Sequence, residues 1–395
     1  MTPRSRVALR AAFVLAVIGL GLASYLTFRH FAAAHGGRSV CSLNLKLNCD
    51  VVNTSEYAEL VGIPISALGA AFYLAILGLS AFSLAARPSL VPSLLSHLTV
   101  FATGSVAYSV FLAGVSHFVI RHWCLFCIGL YAVNVGLLVT AAVGAGIPIA
   151  DQLAIVRNDW AAIRSKRWLF ASLVAAAVVL VGAVATATVI RDQRRATLVS
   201  EWAALEPAPI VLRGDEPSRG AADAPIVIVD YFDFLCPHCK KAAQVLERVV
   251  REFPGEVRLV LKHVPLDSAC NPWANPHPGA CQAAAAALCA GKQGHYWEMH
   301  DWLFLDQAEI DDKNVVAKVA DLTSRIGLDR AALDACVADP ATMEQVRREV
   351  REGIAELRID STPAIFVNGR GIMGALDMDT WRKLIPKARE LAAKK

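Results

Sequence analysis

The sequence predicts an α-helical membrane bundle, four core helices plus a fifth spanning helix, followed by an α/β domain with a helical insertion. Three observations predict it. Five stretches, 11–28, 60–86, 88–120, 123–150 and 168–190, contain no Asp, Glu, Lys or Arg. All ten cysteines lie outside the segments that the charge pattern puts on the inner side. A strand-like run over 226–234 leads into a C-x-x-C and then an amphipathic helix. Composition agrees: of 395 residues 55% are hydrophobic and 19% charged, and mean hydropathy is +0.44. Soluble domains average about 45–50% apolar and about 25% charged. A disordered chain and an ordinary cytosolic enzyme are excluded. Net charge is +4 with no long basic run, so no nucleic-acid partner is expected.

A spanning helix needs about 20 apolar residues, because each backbone amide in the bilayer must bond within its own helix. Each charge-free stretch supplies that length or nearly so. Five spans put the termini on opposite sides. Arg4, Arg6, Arg10, Arg87, Arg157, Arg164, Lys166 and Arg167 then fall on the N-terminal side, and Arg29, Arg38, Lys46 and Arg121 on the other. The basic excess places the N-terminus in the cytoplasm and residues 191–395 outside. Arg4 to Arg10, the apolar run and Ala32-Ala33-Ala34 also fit a cleaved signal peptide, but the run exceeds the usual core of about 7–15 residues. A retained helix is expected. The chain divides into a membrane domain (1–150), an inner loop and fifth helix (151–190), a polar, proline-dotted linker (191–222) and an exported domain (223–395).

Cys41 and Cys49 sit in the first outer loop, Cys124 and Cys127 at the outer mouth of the fourth span, and six cysteines in the exported domain. An even count on the exported side reads as disulfide chemistry in an oxidising compartment. Two C-x-x-C motifs could instead form a four-thiolate zinc site. The membrane-surface position of one and the strand–helix setting of the other argue against a metal.

In the exported domain, Cys236-Pro-His-Cys239 follows the strand and opens a helix reaching about Phe253; a second strand is predicted near 257–262. A thiolate at a helix N-terminus is stabilised by the dipole and the unpaired amides, and His238 can add to this. Stabilising the thiolate stabilises the dithiol, so the disulfide becomes a strong oxidant. Thr362-Pro363 precedes another strand, 364–367, and an Asn-Gly turn. This arrangement over 220–395 resembles the DsbA family, a thioredoxin fold with an inserted helical subdomain. The resemblance implies that Pro363 is a cis-proline facing the active cysteines. It also implies that Asp230 and Lys262 form a buried acid–lysine pair beneath them. Thr362 stands where the best-known oxidases carry Val and is commoner in isomerase-like relatives. Cys270 and Cys281 flank a Pro-rich loop, 271–278, while Cys289 and Cys336 lie on predicted helices; the expected disulfides are Cys270–Cys281 and Cys289–Cys336. An exchange relay through Cys270 and Cys281 is the alternative.

The four remaining cysteines, with Cys124-Leu-Phe-Cys127 followed four residues on by Tyr131, resemble the vitamin K epoxide reductase family over about 8–147. Fusion to a thioredoxin-like domain resembles its bacterial branch. The family implies that Cys127 lies next to a quinone, that Cys49 attacks Cys124, and that Cys41 faces Cys236. Tyr131, one turn along from Cys127, would hydrogen-bond a quinone carbonyl, and Phe72 would form an apolar wall. Ile65 occupies the place of an Asn that binds the vitamin in animal enzymes, which favours quinone over epoxide. The expected function is a quinone-dependent thiol oxidase of the bacterial inner membrane. Electrons would leave reduced exported proteins through Cys236/Cys239, Cys41/Cys49 and Cys124/Cys127 for the ubiquinone or menaquinone pool. The alternatives are reducing power carried outward, for which Thr362 is the support, and a membrane-tethered zinc or binding module without turnover.

Overall fold

The computed structural model describes residues 2–32, 39–60, 62–85, 90–274 and 276–394. Ala33 and Ala34 of the possible cleavage site, Arg38 and Arg87 of the charge count, and Asn275 of the Pro-rich loop lie outside them. Two compact units meet in sequence between Ile190 and Arg191.

In the first unit, α1 (Pro3–Ala32) precedes a loop holding α2 (Cys49–Asn53) and a two-stranded ribbon, β1 (Glu59–Leu60) and β2 (Ile63–Pro64). Then come α3 (Ile65–Ala85), α4 (Val91–Gly114, continuing as a π-turn to Ile120), α5 (Leu125–Gly144), α6 (Ile149–Ser165) and α7 (Arg167–Ala204). Five of these helices are long and apolar enough to cross a membrane. The bundle core is narrow: Leu9, Ala12, Ala16 and Ala23 of α1 meet Tyr73 and Ile76 of α3, Leu95 and Ala102 of α4, and Leu137 and Ala141 of α5. Small residues let α1 approach closely, as at membrane helix interfaces generally. Outward apolar side chains such as Val14, Leu74, Val110 and Val139 stay exposed, as a lipid-facing surface requires.

The second unit has strand order β3-β5-β4-β6-β7. These strands are β3 (Ser218–Gly220), β4 (Ile226–Phe232), β5 (Val257–His263), β6 (Ala364–Val367) and β7 (Arg370–Met373). β4 and β5 are parallel and the other pairs antiparallel. α8 (Pro237–Glu252) makes the β4-to-β5 crossover, and α14 (Met378–Ala392) closes the chain. Between β5 and β6 lie α9 (Ala280–Lys292), α10 (Tyr296–Asp306), α11 (Val315–Ile326), α12 (Arg330–Ala338) and α13 (Pro340–Arg351). β4 and β5 are buried along nearly their whole length, as expected of strands covered on both faces.

The expected linker at 191–222 is not a free tether. α7 stays helical to Ala204, Val199 and Trp202 are buried in the core of the second unit, and Arg195 pairs with Asp377 and Asp379. The indole N–H of Trp202 donates to the Arg370 carbonyl at 3.1 Å, and Ala208 N–H donates to the Gly369 carbonyl at 2.8 Å. Val199, Trp202 and Ala203 share one face of the helix amid charged neighbours. Average composition hides such a sparse apolar face.

Candidate functional site

Cys236 is the N-cap of α8 and Pro237 its first helical residue, so the preceding strand delivers the sulfur to a helix terminus. Both thiols are free and buried. The Cys236 thiol donates to the Thr362 carbonyl at 3.3 Å, and the Thr362–Pro363 peptide is cis. Asp233 N–H donates to Cys239 Sγ at 3.4 Å. The Cys239 thiol, the Cys239 amide, the Thr362 side chain and the His238 amide together lower the Cys236 pKa to about 6, against a burial penalty. His238 contributes through its main chain. Burial, then the neighbouring Cys236, push Cys239 far up. The two sulfurs therefore differ: one is a stable thiolate and the other a stable thiol.

Asp230 is 1% exposed and its Oδ1 has no hydrogen-bond partner among the described residues. Burial, then the Cys236 charge, raise its pKa to about 8. It does not pair with Lys262. Asp230 lies opposite Leu261 and Tyr231 opposite Lys262 in the β4–β5 ladder, and alternation sends the two side chains to opposite faces. The Lys262 ammonium instead donates to Glu352 (2.6 and 2.7 Å) and to the Val211 carbonyl (2.6 Å), with Glu216 at 3.6 Å. Tyr231 completes that network by donating to Glu352 at 2.6 Å.

Two disulfides mark the membrane unit: Cys41–Cys49, with Cα atoms 5.7 Å apart, and Cys124–Cys127, with 5.1 Å. Cys41, Cys49 and Cys124 are buried in one cluster, against which Cys127 packs. The loop is stitched to the start of α5: Trp123 N–H donates to Lys46 O (2.8 Å) and Asn48 N–H to Trp123 O (2.9 Å), through a parallel bridge Leu47–Trp123. This holds the loop that carries Cys49 against the start of α5, and Cys49 and Cys124 lie in the same buried cluster. Asp50, which the sequence reading passed over, anchors the loop. It accepts from Ser39 N–H (2.8 Å), the Ser42 hydroxyl (2.8 Å) and Arg29 (3.3 Å). Its signal was present: a carboxylate directly after Cys49 and an arginine ending an apolar span.

Beneath these cysteines lies a cavity of about 410 Å³ whose wall includes Cys127, Tyr131, Phe72 and Ile65, all four expected there from the sequence. Two further lining residues, Tyr73 and Asn134, form a polar chain across it. Tyr73 donates to Asn134 Oδ1 at 2.7 Å, and Asn134 donates onward to Ser109 at 3.0 Å. Asn134 is one turn past Tyr131. Apolar walls, hydroxyl and amide groups, and one sulfur at the mouth fit a flat, apolar ring bearing carbonyl acceptors. Among the remaining cysteines, Cys270–Cys281 closes the Pro-rich loop and Cys289–Cys336 ties α9 to α12.

The sequence profile of the vitamin K epoxide reductase family matches residues 10–142, and a thioredoxin profile matches 213–387. Among solved structures, a thioredoxin-like oxidoreductase of Silicibacter pomeroyi DSS-3 is 23% identical. The likeness covers 45% of this chain and 94% of that one, with a TM-score of 0.38. The α-DsbA1 of Wolbachia pipientis is 19% identical over 47% of this chain and 95% of that one, with a TM-score of 0.40. Among curated sequences, a Na(+)/H(+) antiporter NhaA 1 of Salinispora arenicola is 31% identical over 43% of this chain. An NhaA of Herminiimonas arsenicoxydans is 29% identical, again over 43%. The matches span only 24% and 25% of those relatives' own lengths. The chain thus carries a vitamin K epoxide reductase family domain at its N-terminus and a thioredoxin-like domain at its C-terminus.

Proposed function

We propose that the protein is a disulfide-forming oxidase of a bacterial inner membrane that takes electrons from reduced exported proteins and delivers them to membrane quinone. Its N-terminus is cytoplasmic and its thioredoxin-like unit periplasmic. The observation that most supports this direction is the placement of the second C-x-x-C. Cys124 adjoins the loop disulfide, whereas Cys127 lines the apolar cavity with Tyr131. One motif touches both a dithiol donor and a site for a lipid-soluble acceptor.

A substrate thiolate attacks Cys236 of the Cys236–Cys239 disulfide. Cys239 leaves and takes a proton from Asp230. A second substrate thiolate then forms the substrate disulfide and releases the Cys236 thiolate. Cys236 next attacks Cys41, displacing Cys49. Asp230 takes the Cys239 proton as Cys239 resolves the mixed disulfide and frees Cys41. Cys49 attacks Cys124 and displaces Cys127 as a thiolate at the cavity wall. Cys41 closes on Cys49, leaving Cys124 and Cys127 as the dithiol. Quinone, ubiquinone or menaquinone, supplies the acceptor of two electrons and two protons. Tyr131 and Asn134 would hold its carbonyls, with Phe72 and Ile65 against its ring.

Thr362 favours a second reading, in which electrons run outward to isomerise wrong disulfides. The form of Cys236–Cys239 in growing cells separates the two, since an oxidase keeps the pair oxidised. The decisive experiment is turnover of the full chain in lipid with a reduced unfolded protein and a soluble quinone. The expected result is loss of one quinone per two thiols, abolished in Cys236→Ala. Cys127→Ala should lose quinone reduction while Cys236 still exchanges with peptides. Normal quinone turnover in Cys127→Ala would overturn the route.

A further inference from the structure

The mechanism leaves one polar pair beside the exported dithiol without a role. Asp233 follows β4 directly, and its side chain is 0% exposed. Its main chain touches both active cysteines: its N–H donates to Cys239 Sγ (3.4 Å) and its carbonyl accepts from Cys236 N–H (3.2 Å). Its carboxylate accepts from Leu235 N–H (2.6 Å), from Leu266 N–H (2.8 Å) and, at Oδ2, from His277 Nδ1 (2.8 Å). His277 comes from another part of the fold, the Pro-rich loop closed by Cys270–Cys281.

That loop is built to hold one shape. Asp267 accepts from the amides of Ala269 (3.0 Å), Gly279 (2.9 Å) and Cys281 (3.0 Å). The Asn271 amide donates to the Pro265 carbonyl (2.8 Å), and His277 N–H donates to the Leu266 carbonyl (3.0 Å). The imidazole is thus fixed from its own backbone and from Asp233, with Nδ1 committed and Nε2 without a hydrogen-bond partner among the described residues.

We infer that His277, held on Asp233 by the disulfide-closed loop, is a positioning residue whose positive charge stabilises the Cys236 thiolate. The inference rests on reading Cys236 as the exchanging thiolate. Burial disfavours the protonated ring, but the hydrogen bond to Asp233, the Asp233 charge and then the Cys236 charge outweigh it and raise the His277 pKa. Around these two stand the Asp233 carboxylate itself, Asp230, Cys239, His238, Asp306 beside Gln307, Asp267 in the loop, and Lys240 one turn along α8, whose ammonium donates to the Leu305 carbonyl (3.4 Å). Asp230 is a neutral acid below its raised pKa and Cys239 is a neutral thiol, so neither supplies a positive charge. His238 acts through its amide.

The test is the pH profile of Cys236 alkylation by iodoacetamide in the reduced full-length protein, read by mass spectrometry of the Cys236 peptide. In His277→Gln, which keeps a hydrogen-bond donor without the charge, labelling below about pH 6 should slow about threefold or more. His277→Lys, which restores a cation, should recover most of that loss. A glutamine profile superimposable on wild type overturns the inference, as does a slowing that lysine leaves unrescued. If the glutamine variant does not fold, Asp233→Asn gives the same reading, because it removes the anion that keeps the ring charged. Labelling at Cys239 instead of Cys236 in the wild type would sink the underlying assignment of the thiolate; unmoved variants with Cys236 labelled would sink only the role of His277.

Discussion

Asp230 carries a cost that the fold retains. A carboxyl has its folded-state pKa raised to about 8 only when burial favours its neutral form. The unfolded value lies near 4, so the folded state binds the extra proton between those values. Stability contributed by protonated Asp230 is therefore present below about pH 4 and lost progressively as pH rises through about 8. Asp230→Asn should raise stability by on the order of 4 kcal/mol at neutral pH, and by almost nothing near pH 4. Urea unfolding of the reduced protein across that range checks it; a pH-independent gain would mean that the carboxyl does not titrate there. The same variant should slow formation of the mixed disulfide between Cys236 and substrate, because the departing Cys239 then has no carboxyl to protonate it. The Cys41–Cys49 and Cys124–Cys127 pairs and the adjacent Cys236 and Cys239 were legible because motif spacing and charge topology both point at them. The solitary state of Asp230 and the partners of Lys262 were not. Strand alternation separates Asp230 from Lys262, and Glu216 and Glu352, the acids that do meet Lys262, are remote from it in sequence.

Helix packing gives a sharper test than helix hydropathy. Gly19 of α1 sits under the ring of Tyr73, and an added Cβ would lie 2.6 Å from that ring's Cε1. The same tyrosine reaches across to Asn134 on α5 and lines the cavity. Gly21, two residues on, has nothing within 4 Å of such a Cβ. Gly19→Leu should therefore cost about 1–3 kcal/mol through overpacking and weaken quinone turnover, whereas Gly21→Leu should be nearly silent. Thermal unfolding in detergent together with the KM for soluble quinone checks the pair; equal effects would mean that α1 does not pack as described. The spans themselves were readable because the bilayer forbids charge, a constraint acting on every residue of a helix. The docked end of α7 was not, because only Val199, Trp202 and Ala203 carry that packing among polar neighbours. Which glycine faces a ring and which faces lipid is likewise a property of three-dimensional register.

At the scale of the whole molecule, a dithiol unit and a membrane unit share one chain, so the proposed exchange between them should be an intramolecular event. A covalently joined partner is present at an effective concentration set by the connection, so the step should not depend on protein concentration. Removing the resolving member of each pair tests this. In Cys49→Ser with Cys239→Ser, the thiolate of Cys236 has Cys41 as its partner and nothing to release it, so oxidation by a small disulfide should accumulate a Cys41–Cys236 linkage. It should form at the same rate on tenfold dilution and run as a monomer on a non-reducing gel. In Cys41→Ser with Cys127→Ser, the backbone pairing of residues 46–48 with Trp123 should favour a Cys49–Cys124 linkage. Cys49→Ser with Cys127→Ser leaves Cys41, which that pairing does not set against Cys124, and should crosslink far less. Dimers that vanish on dilution would mean that each chain serves its neighbour. Equal crosslinking of Cys41 and Cys49 to Cys124 would mean that the loop opens before electrons pass, and that the backbone pairing with Trp123 does not set the order of the proposed relay.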